Sequence, residues 1–351
     1  MIQQAIARLV EGHELTAEEV DESLEEIISG AAAPAQIAGL LVALRGKGET
    51  ADDLAAFART FRRHSLRIHP RVDGKLVDTC GTGGDGAGTF NVSTVSAVVA
   101  AGAGVYVAKH GNRSVTGKSG SADLLETLGF NLAMEPQRVE ESIEQIGIGF
   151  MFAPAFHPAM KQVGPVRKEL GIRTIFNLMG PLMNPAEAGC QLLGVYSSSL
   201  PPKMALALQK LGTHEAMVVH ALEGMDEISV TGRTIVSSLH EGKISSHEYR
   251  PRDFDLYTPE GPAPRMSSPE EAAQVALDVL SGGVRSIWST NMVLANAAAA
   301  IMVGGLADGF KEAIPLARTS IDSGAAQKKL EGLIRMSGGT LETLERHAAA
   351  Q

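Results

Sequence analysis

The sequence predicts an α/β protein built from a small all-helical N-terminal domain and a larger α/β domain, the latter with a mainly parallel central sheet surrounded by helices. Three observations carry this reading. About 65 residues at the N-terminus show helical periodicity and no strand pattern, residues 75–108 spell strand, loop, helix, strand, and the C-terminal stretch is Ala-rich and mostly helical. A length of 351 residues also suits two domains at about 150 residues each.

The elements follow in order. Thr16 with Glu19 makes a capping box, and Val20, Leu24, Ile27 and Ile28 recur at helical spacing until Gly30 stops the run. Pro34 opens a second helix through Ile37, Leu40, Leu41 and Leu44, ending near Gly46 and Gly48. Thr50 with Asp53 caps a third. At Val72 the texture changes. Residues 75–78 read as a short buried strand running into GTGGDG at 81–86, residues 93–101 as an apolar helix closed by Gly102, and residues 105–108 as a second strand. Such a unit of about 34 residues is the βαβ signature of a parallel sheet. Short helices are expected at 123–128, stopped by Gly129, and at 136–146, between Pro136 and Gly147; further strands are expected at 192–196, 216–220 and 228–230.

Composition limits the function. Net charge is −9, and there are only 10 Phe, 4 Tyr and 1 Trp, so neither duplex binding nor a stacking platform for single strands is expected. Cys80 and Cys190 match no zinc or redox spacing. The longest apolar run, at 95–107, is broken by Gly102 and Gly104, and the N-terminus carries no signal-peptide pattern, so a cytoplasmic protein without a membrane partner is expected. Glycine is the outlier, 38 of 351 residues or about 11%, against about 7% in ordinary proteins.

Ten of those glycines fall between Gly81 and Gly120. Glycines just after a strand let backbone N–H groups approach a ligand, and a following helix N-terminus favours an anion. The spacing Gly81-x-Gly83-x-x-Gly86 satisfies the dinucleotide fingerprint, but the next strand ends in Lys109 and His110 rather than the acid that would hold a ribose, which disfavours a dehydrogenase. The run from Gly111 to Lys118 is a near miss of a P-loop, with five residues between its glycines where four are needed. From Gly86 through Ala122 there is no Asp or Glu, yet the segment holds Lys109, His110, Arg113 and Lys118 among many hydroxyls and amides. A polyanion bound at the ends of two strands is the reading these residues support.

Longer motifs make the reading specific. DTCGTGGDG at 78–86, TFNVST at 89–94, KHGNRSVTGKSGSAD at 109–123, FAP at 152–154, HPAM at 157–160, VRKELG at 166–171 and RTIFNLMGPLMNP at 173–185 resemble the signature blocks of the anthranilate phosphoribosyltransferase family, in order and over almost the whole chain. That resemblance implies transfer of the 5-phosphoribosyl group of phosphoribosyl pyrophosphate (PRPP) to the amino group of anthranilate, releasing pyrophosphate, in tryptophan biosynthesis. It implies a helical domain at 1–70, completed by a segment near 165–190, an α/β phosphoribosyl-binding domain at 71–351, and a homodimer formed through the helical domain. By match, PRPP would be held by Gly81, Gly84, Asp85, Thr89, Asn91, Val92, Ser93, Thr94, Lys109, His110, Gly111, Asn112, Arg113, Ser114, Val115, Thr116, Gly117 and Ser121. Anthranilate would meet Gly81, Asn112 and Arg167, while Ser93, Asp226 and Glu227 would bind Mg²⁺, two ions per site.

The residue types suit that chemistry. Pyrophosphate leaves from C1 of the ribose, so catalysis means positioning the amine and neutralising charge on the leaving group. Arg167 offers a planar fork for a carboxylate, although without the resemblance it reads rather as a surface salt bridge to Glu169 or a neighbour. An aromatic amine keeps its lone pair at neutral pH, so no strong base is needed; His110 is a candidate for orienting it or for taking its proton late, and His157 for either the site or the core. Phe156, beside Ala155, replaces a polar residue of many relatives, and Cys80 beside Gly81 is either reactive or buried. The rivals are a nucleoside phosphorylase of the same superfamily, which would lack Val166-Arg167 and the GPLMNP block at 180–185, and a non-catalytic nucleic-acid-binding relative, which would have a basic surface and lack Asp226 and Glu227.

Overall fold

Four helices open the chain in a computed structural model, which describes residues 1–86, 88–114, 119–257, 263–283 and 286–349. These are α1 (Ile2–Val10), α2 (Ala17–Ile28), α3 (Pro34–Lys47) and α4 (Ala51–Arg63). Thr16 and Glu19 exchange both capping-box bonds at 3.2 and 2.8 Å, and Thr50 and Asp53 do so at 3.1 and 2.9 Å. Their inward faces, including Leu24, Ile27, Leu40, Leu41, Leu44, Phe57 and Phe61, are buried together.

The α/β part runs β1 (Leu76–Gly81), α5 (Val92–Gly102), β2 (Tyr106–Gly111), α6 (Ser121–Thr127), α7 (Pro136–Ile146), β3 (Ile148–Phe152), then the short helices α8 (Ala153–Phe156), α9 (Gly164–Leu170) and α10 (Phe176–Met179). It continues with β4 (Cys190–Gly194), α11 (Pro201–Lys210), β5 (Glu215–Ala221), the hairpin β6 (Thr234–His240) and β7 (Lys243–Tyr249), and α12 (Pro269–Leu280), α13 (Ile287–Val303), α14 (Phe310–Asp322), α15 (Ala325–Met336) and α16 (Glu342–Ala349). Among the described residues the strands form one seven-stranded sheet in the order β3-β2-β1-β4-β5-β6-β7. The first five are parallel, and the hairpin adds two antiparallel strands at one edge.

Alternation along the strands divides the core in two. Leu192, Met217 and Val219 face a cluster containing α5 and α13, while Leu193, Ala216 and Val218 face α11 and the N-terminal helices. In the second cluster α9 packs on α3, and α10 with the turn after it packs on α4, so residues 163–183 add side chains to the helical bundle. No helix among the described residues is long and apolar enough to cross a membrane.

Three features differ from the sequence reading. Residues 228–230 form no strand: Asn296 on α13 takes both backbone groups of Ile228, accepting from its N–H at 2.9 Å and donating to its carbonyl at 3.0 Å. A side chain thus satisfies what a neighbouring strand would otherwise have to. The strand β3 and the β6–β7 hairpin are additions to the expected elements. The hairpin turn places Glu241 and Gly242 at φ of 46° and 73°, as a two-residue turn requires, but a Glu-Gly pair is a weaker signal than Asn-Gly.

Candidate active site

The sheet order reverses at β1, whose parallel neighbours β2 and β4 lie on opposite sides. In open α/β sheets the crevice for a ligand opens at the C-terminal ends of the strands beside such a reversal. The glycine-rich turn leaves β1 at that place. A side chain on Gly81 would run into the Asp226 carboxyl, reaching its Cγ at 3.2 Å, and Gly83 and Gly84 take φ of 63° and 74°.

Two acids brought in after β5 shape the turn. Gly83 N–H donates to Asp226 Oδ2 at 2.8 Å, and Ser93 N–H donates to Glu227 Oε1 at 3.1 Å. Asn91 caps α5 by accepting the Thr94 N–H at 3.0 Å and also takes the Thr94 hydroxyl. Thr89 is half-buried beside this cap, whereas the Val92 side chain is buried in the core and offers the site its backbone alone. Lys109 is buried beneath the turn, its Nζ donating to the Thr79 carbonyl at 2.5 Å and to Ser93 Oγ at 3.4 Å. The ammonium therefore braces Ser93 from below.

The electrostatics of this floor are those of crowded acids. Burial, then the neighbouring Asp85 carboxyl, pushes Asp226 up to about 7. Burial, then Asp226, raises Glu227 well above the carboxylate range, with Lys109 opposing. Burial lowers Lys109 in turn. Below them Asp78 is raised by burial, and accepts the His110 N–H at 3.1 Å and Gln191 Nε2 at 3.4 Å. No group of three His, Cys, Asp or Glu residues among those described could hold a metal by itself.

The second loop, after β2, closes on itself. Asn112 N–H donates to Ser121 Oγ at 3.1 Å, whose hydroxyl donates back to the Asn112 carbonyl at 3.2 Å. Ser114 and Gly120 N–H groups both donate to Asp123 Oδ2 at 2.9 Å. A side chain on Gly111 would meet Phe150 at 2.8 Å. Arg113 turns its guanidinium to the surface, between Asp123 and Glu126, at 3.0 and 2.7 Å. Val115, Thr116 and Gly117, with Lys118, lie outside the described residues.

On the other side stands Arg167, half-buried on α9 with its guanidinium 5.5 Å from the centroid of Phe176. Burial lowers its pKa, and among the described residues it has no ion pair, to Glu169 or to any other acid. His110 and His157 are buried edge to face, their Nε2 atoms 3.1 Å apart. Burial, then His157, holds His110 well below the usual imidazole value, and burial, then Arg62, brings His157 down to about 4. Both rings are neutral at pH 7, so one Nε2 donates and the other accepts. His110 Nε2 is thus committed to His157, and His157 Nδ1 is buried without a partner. Phe156 is withdrawn into the core beside exposed Ala155, and the buried Cys80 thiol, raised far above its usual pKa, is inert.

Sequence reasoning missed Asn296, Gln191 and Arg173. Gln191 joins Asp78, Cys80 and the Pro181 carbonyl, and Arg173 donates to the Gly84 carbonyl at 2.5 Å. A lone amide in the Ala-rich run 295–300 was the available signal for Asn296.

A helical bundle lies beside an α/β domain with a glycine-rich turn at its switch point, and both parts match models of a glycosyl transferase family. Residues 73–327 match the family model described as "Glycosyl transferase family, a/b domain", and residues 3–65 its "helical bundle domain". An anthranilate phosphoribosyltransferase of Methanocorpusculum labreanum is 48% identical over 97% of this chain and 99% of its own. The crystal structure of the Thermus thermophilus enzyme superposes with a TM-score of 0.89 at 40% identity, covering 95% of this chain and 99% of its own. The Saccharomyces cerevisiae enzyme in complex with PRPP and Mg gives 0.87 at 30% identity, over 96% and 98%. The chain belongs to the anthranilate phosphoribosyltransferase family.

Proposed function

We infer that this chain transfers the phosphoribosyl group of PRPP to the amine of anthranilate, with Mg²⁺, in the cleft at the C-terminal edge of the sheet. The observation that carries the reading is that the glycine-rich turn and the N-terminus of α5 both donate backbone N–H groups to the adjacent acids Asp226 and Glu227. Phosphate-binding amides and metal-binding carboxylates are then parts of one structure.

The donor set suits magnesium. Asp226, Glu227 and Ser93 supply oxygen alone, and the two carboxyls, raised first by burial and then by neighbouring acids, are a pair whose charge a divalent cation would compensate. With no all-protein cage among the described residues, the ions would share their ligands with the donor phosphates. Bound there, magnesium neutralises charge growing on the leaving pyrophosphate.

The remaining work falls to the protein. Backbone groups of 81–86, 91–94 and 109–114 cradle the donor, with Gly84, Asp85, Thr89, Asn112 and Ser121 shaping that cradle. Arg167, with no acid paired to it among the described residues, grips the anthranilate carboxylate, with Gly81 and Asn112 as the other acceptor residues. His110, neutral and tied to His157, positions rather than deprotonates. The bundle at 1–70, completed by 165–190, would pair two copies of the chain. Its helix α3 supports this, with Ala35 and Val42 exposed and Ala38 half-exposed on a face carrying little charge.

The test is loss of anthranilate fluorescence on mixing the protein with PRPP and Mg²⁺. Unchanged fluorescence, together with phosphorolysis of a nucleoside, sinks the reading.

A further inference from the structure

Arg173 stands in the short link between α9, which carries Arg167, and α10, whose Phe176 lies against the Arg167 guanidinium. It belongs to neither set of substrate residues above. Its Nη2 donates to the Gly84 carbonyl at 2.5 Å, and its guanidinium stacks 4.0 Å from the centroid of Tyr196. Tyr196 is itself fixed, its N–H donating to Thr82 Oγ1 at 3.1 Å while Thr82 N–H donates to the Gly194 carbonyl at 2.9 Å. Among the described residues no carboxylate pairs with Arg173. Its charge is directed at one neutral carbonyl in the donor turn.

That carbonyl matters because of peptide geometry. In a trans peptide the C=O and the following N–H point in opposite directions. Holding the Gly84 carbonyl toward Arg173 therefore aims the Asp85 N–H to the opposite side of the turn. Gly84, at φ of 74°, has no side chain to enforce that orientation by itself. The far end of the turn is tied separately, Met266 N–H donating to the Gly88 carbonyl at 2.8 Å.

We propose that Arg173 is a positioning residue that couples the two substrates: it fixes the Gly84–Asp85 peptide for the donor phosphates and links that turn, through residues 171–174, to the helix that receives the acceptor carboxylate. The proposal rests on the phosphoribosyl-transfer reading of the site.

The test uses the full chain. PRPP with Mg²⁺ is titrated calorimetrically into wild type, Arg173→Ala and Arg173→Lys, and initial rates are measured over a matrix of both substrates. In wild type the KM for PRPP falls at least about threefold as anthranilate rises from scarce to saturating. In Arg173→Ala the Kd for PRPP weakens about tenfold, the KM no longer responds to anthranilate, and kcat at saturation falls less than about threefold. Arg173→Lys recovers part of the affinity, since it keeps the charge without the planar fork and stack. If Arg173→Ala does not fold, Tyr196→Leu removes the stacking surface and shows the same loss of coupling. Wild-type affinity and coupling in a folded Arg173→Ala overturn the proposal, as does a wild type without coupling. A wild type that consumes no anthranilate overturns the underlying reaction instead.

Discussion

A half-buried guanidinium without an acid is costly unless a ligand brings one, and among the described residues Arg167 is in that position. The VRKELG motif draws attention to it, but its alternative, a bond to Glu169, is removed only by the folded geometry. Arg167→Ala should raise the KM for anthranilate about 10- to 100-fold, as loss of a charge-assisted fork predicts, with the KM for PRPP changed less than about twofold. An equal loss for both substrates, in a steady-state assay, makes Arg167 structural. His157 gives a pH prediction. Its folded pKa of about 4 lies below the unfolded value of 6.5, so the unfolded chain binds the extra proton. The stabilisation is complete above the unfolded value and is lost as pH falls toward the folded one, at most about 3 kcal/mol. His157→Gln should therefore flatten the fall in Tm between about pH 7 and pH 4.5, measured by scanning calorimetry; an unaltered slope contradicts the assignment. Lys109 shows where residue-level reading stops. Its place in an acid-free segment suggests a phosphate ligand, yet β2, which carries it, turns the ammonium inward to Thr79 and Ser93.

Elements that announce themselves by local chemistry were legible: capping boxes at Thr16 and Thr50, Pro34 at a helix start, and Gly147 in the left-handed conformation ending α7. The βαβ unit was legible for the same reason, since an apolar strand, a glycine turn and an apolar helix follow one another in the chain. Illegible elements depend on partners far away in sequence. Residues 228–230 look like a strand until Asn296 claims the backbone of Ile228 and Thr234 Oγ1 the Ser229 N–H, and β7 is a polar, largely exposed edge whose partner alone defines it. Close approach at the ends of β1 and β4 separates two kinds of glycine. A side chain on Gly194 would land on the Asp226 backbone, which cannot swing away, whereas one on Gly81 meets the end of the Asp226 side chain. Gly194→Ala should lower Tm by about 5–10 °C. Gly81→Ala should leave Tm within about 3 °C but cut kcat/KM at least about 100-fold, because the displaced carboxyl no longer braces the turn. Equal Tm changes for the two variants refute that distinction.

At the scale of the molecule, the sheet separates one core of α5 and α13 from a second in which the N-terminal bundle meets α9, α10 and α11. Arg167, proposed for the acceptor, lies on the bundle's side, the turn proposed for the donor lies at the ends of the strands, and the contact of Arg173 with Gly84 bridges them. Whatever steadies the bundle therefore steadies the helix that carries Arg167. Helix α3 is apolar beyond its buried stripe of Ile37, Leu40, Leu41 and Leu44: Val42 remains 45% exposed on its outer face, and Val10 at the end of neighbouring α1 is 73% exposed. A helix hydrophobic on more than one face is stable when both faces are covered. The dimer proposed through this bundle supplies the second cover. Val42→Glu should then convert a species of twice the chain mass into one of single mass, read by light scattering at micromolar protein. Its Tm should fall with dilution less than that of wild type, because only an associating protein couples stability to concentration. If wild type itself scatters as a single chain at all concentrations, the outer face of α3 has another role and the dimer is wrong.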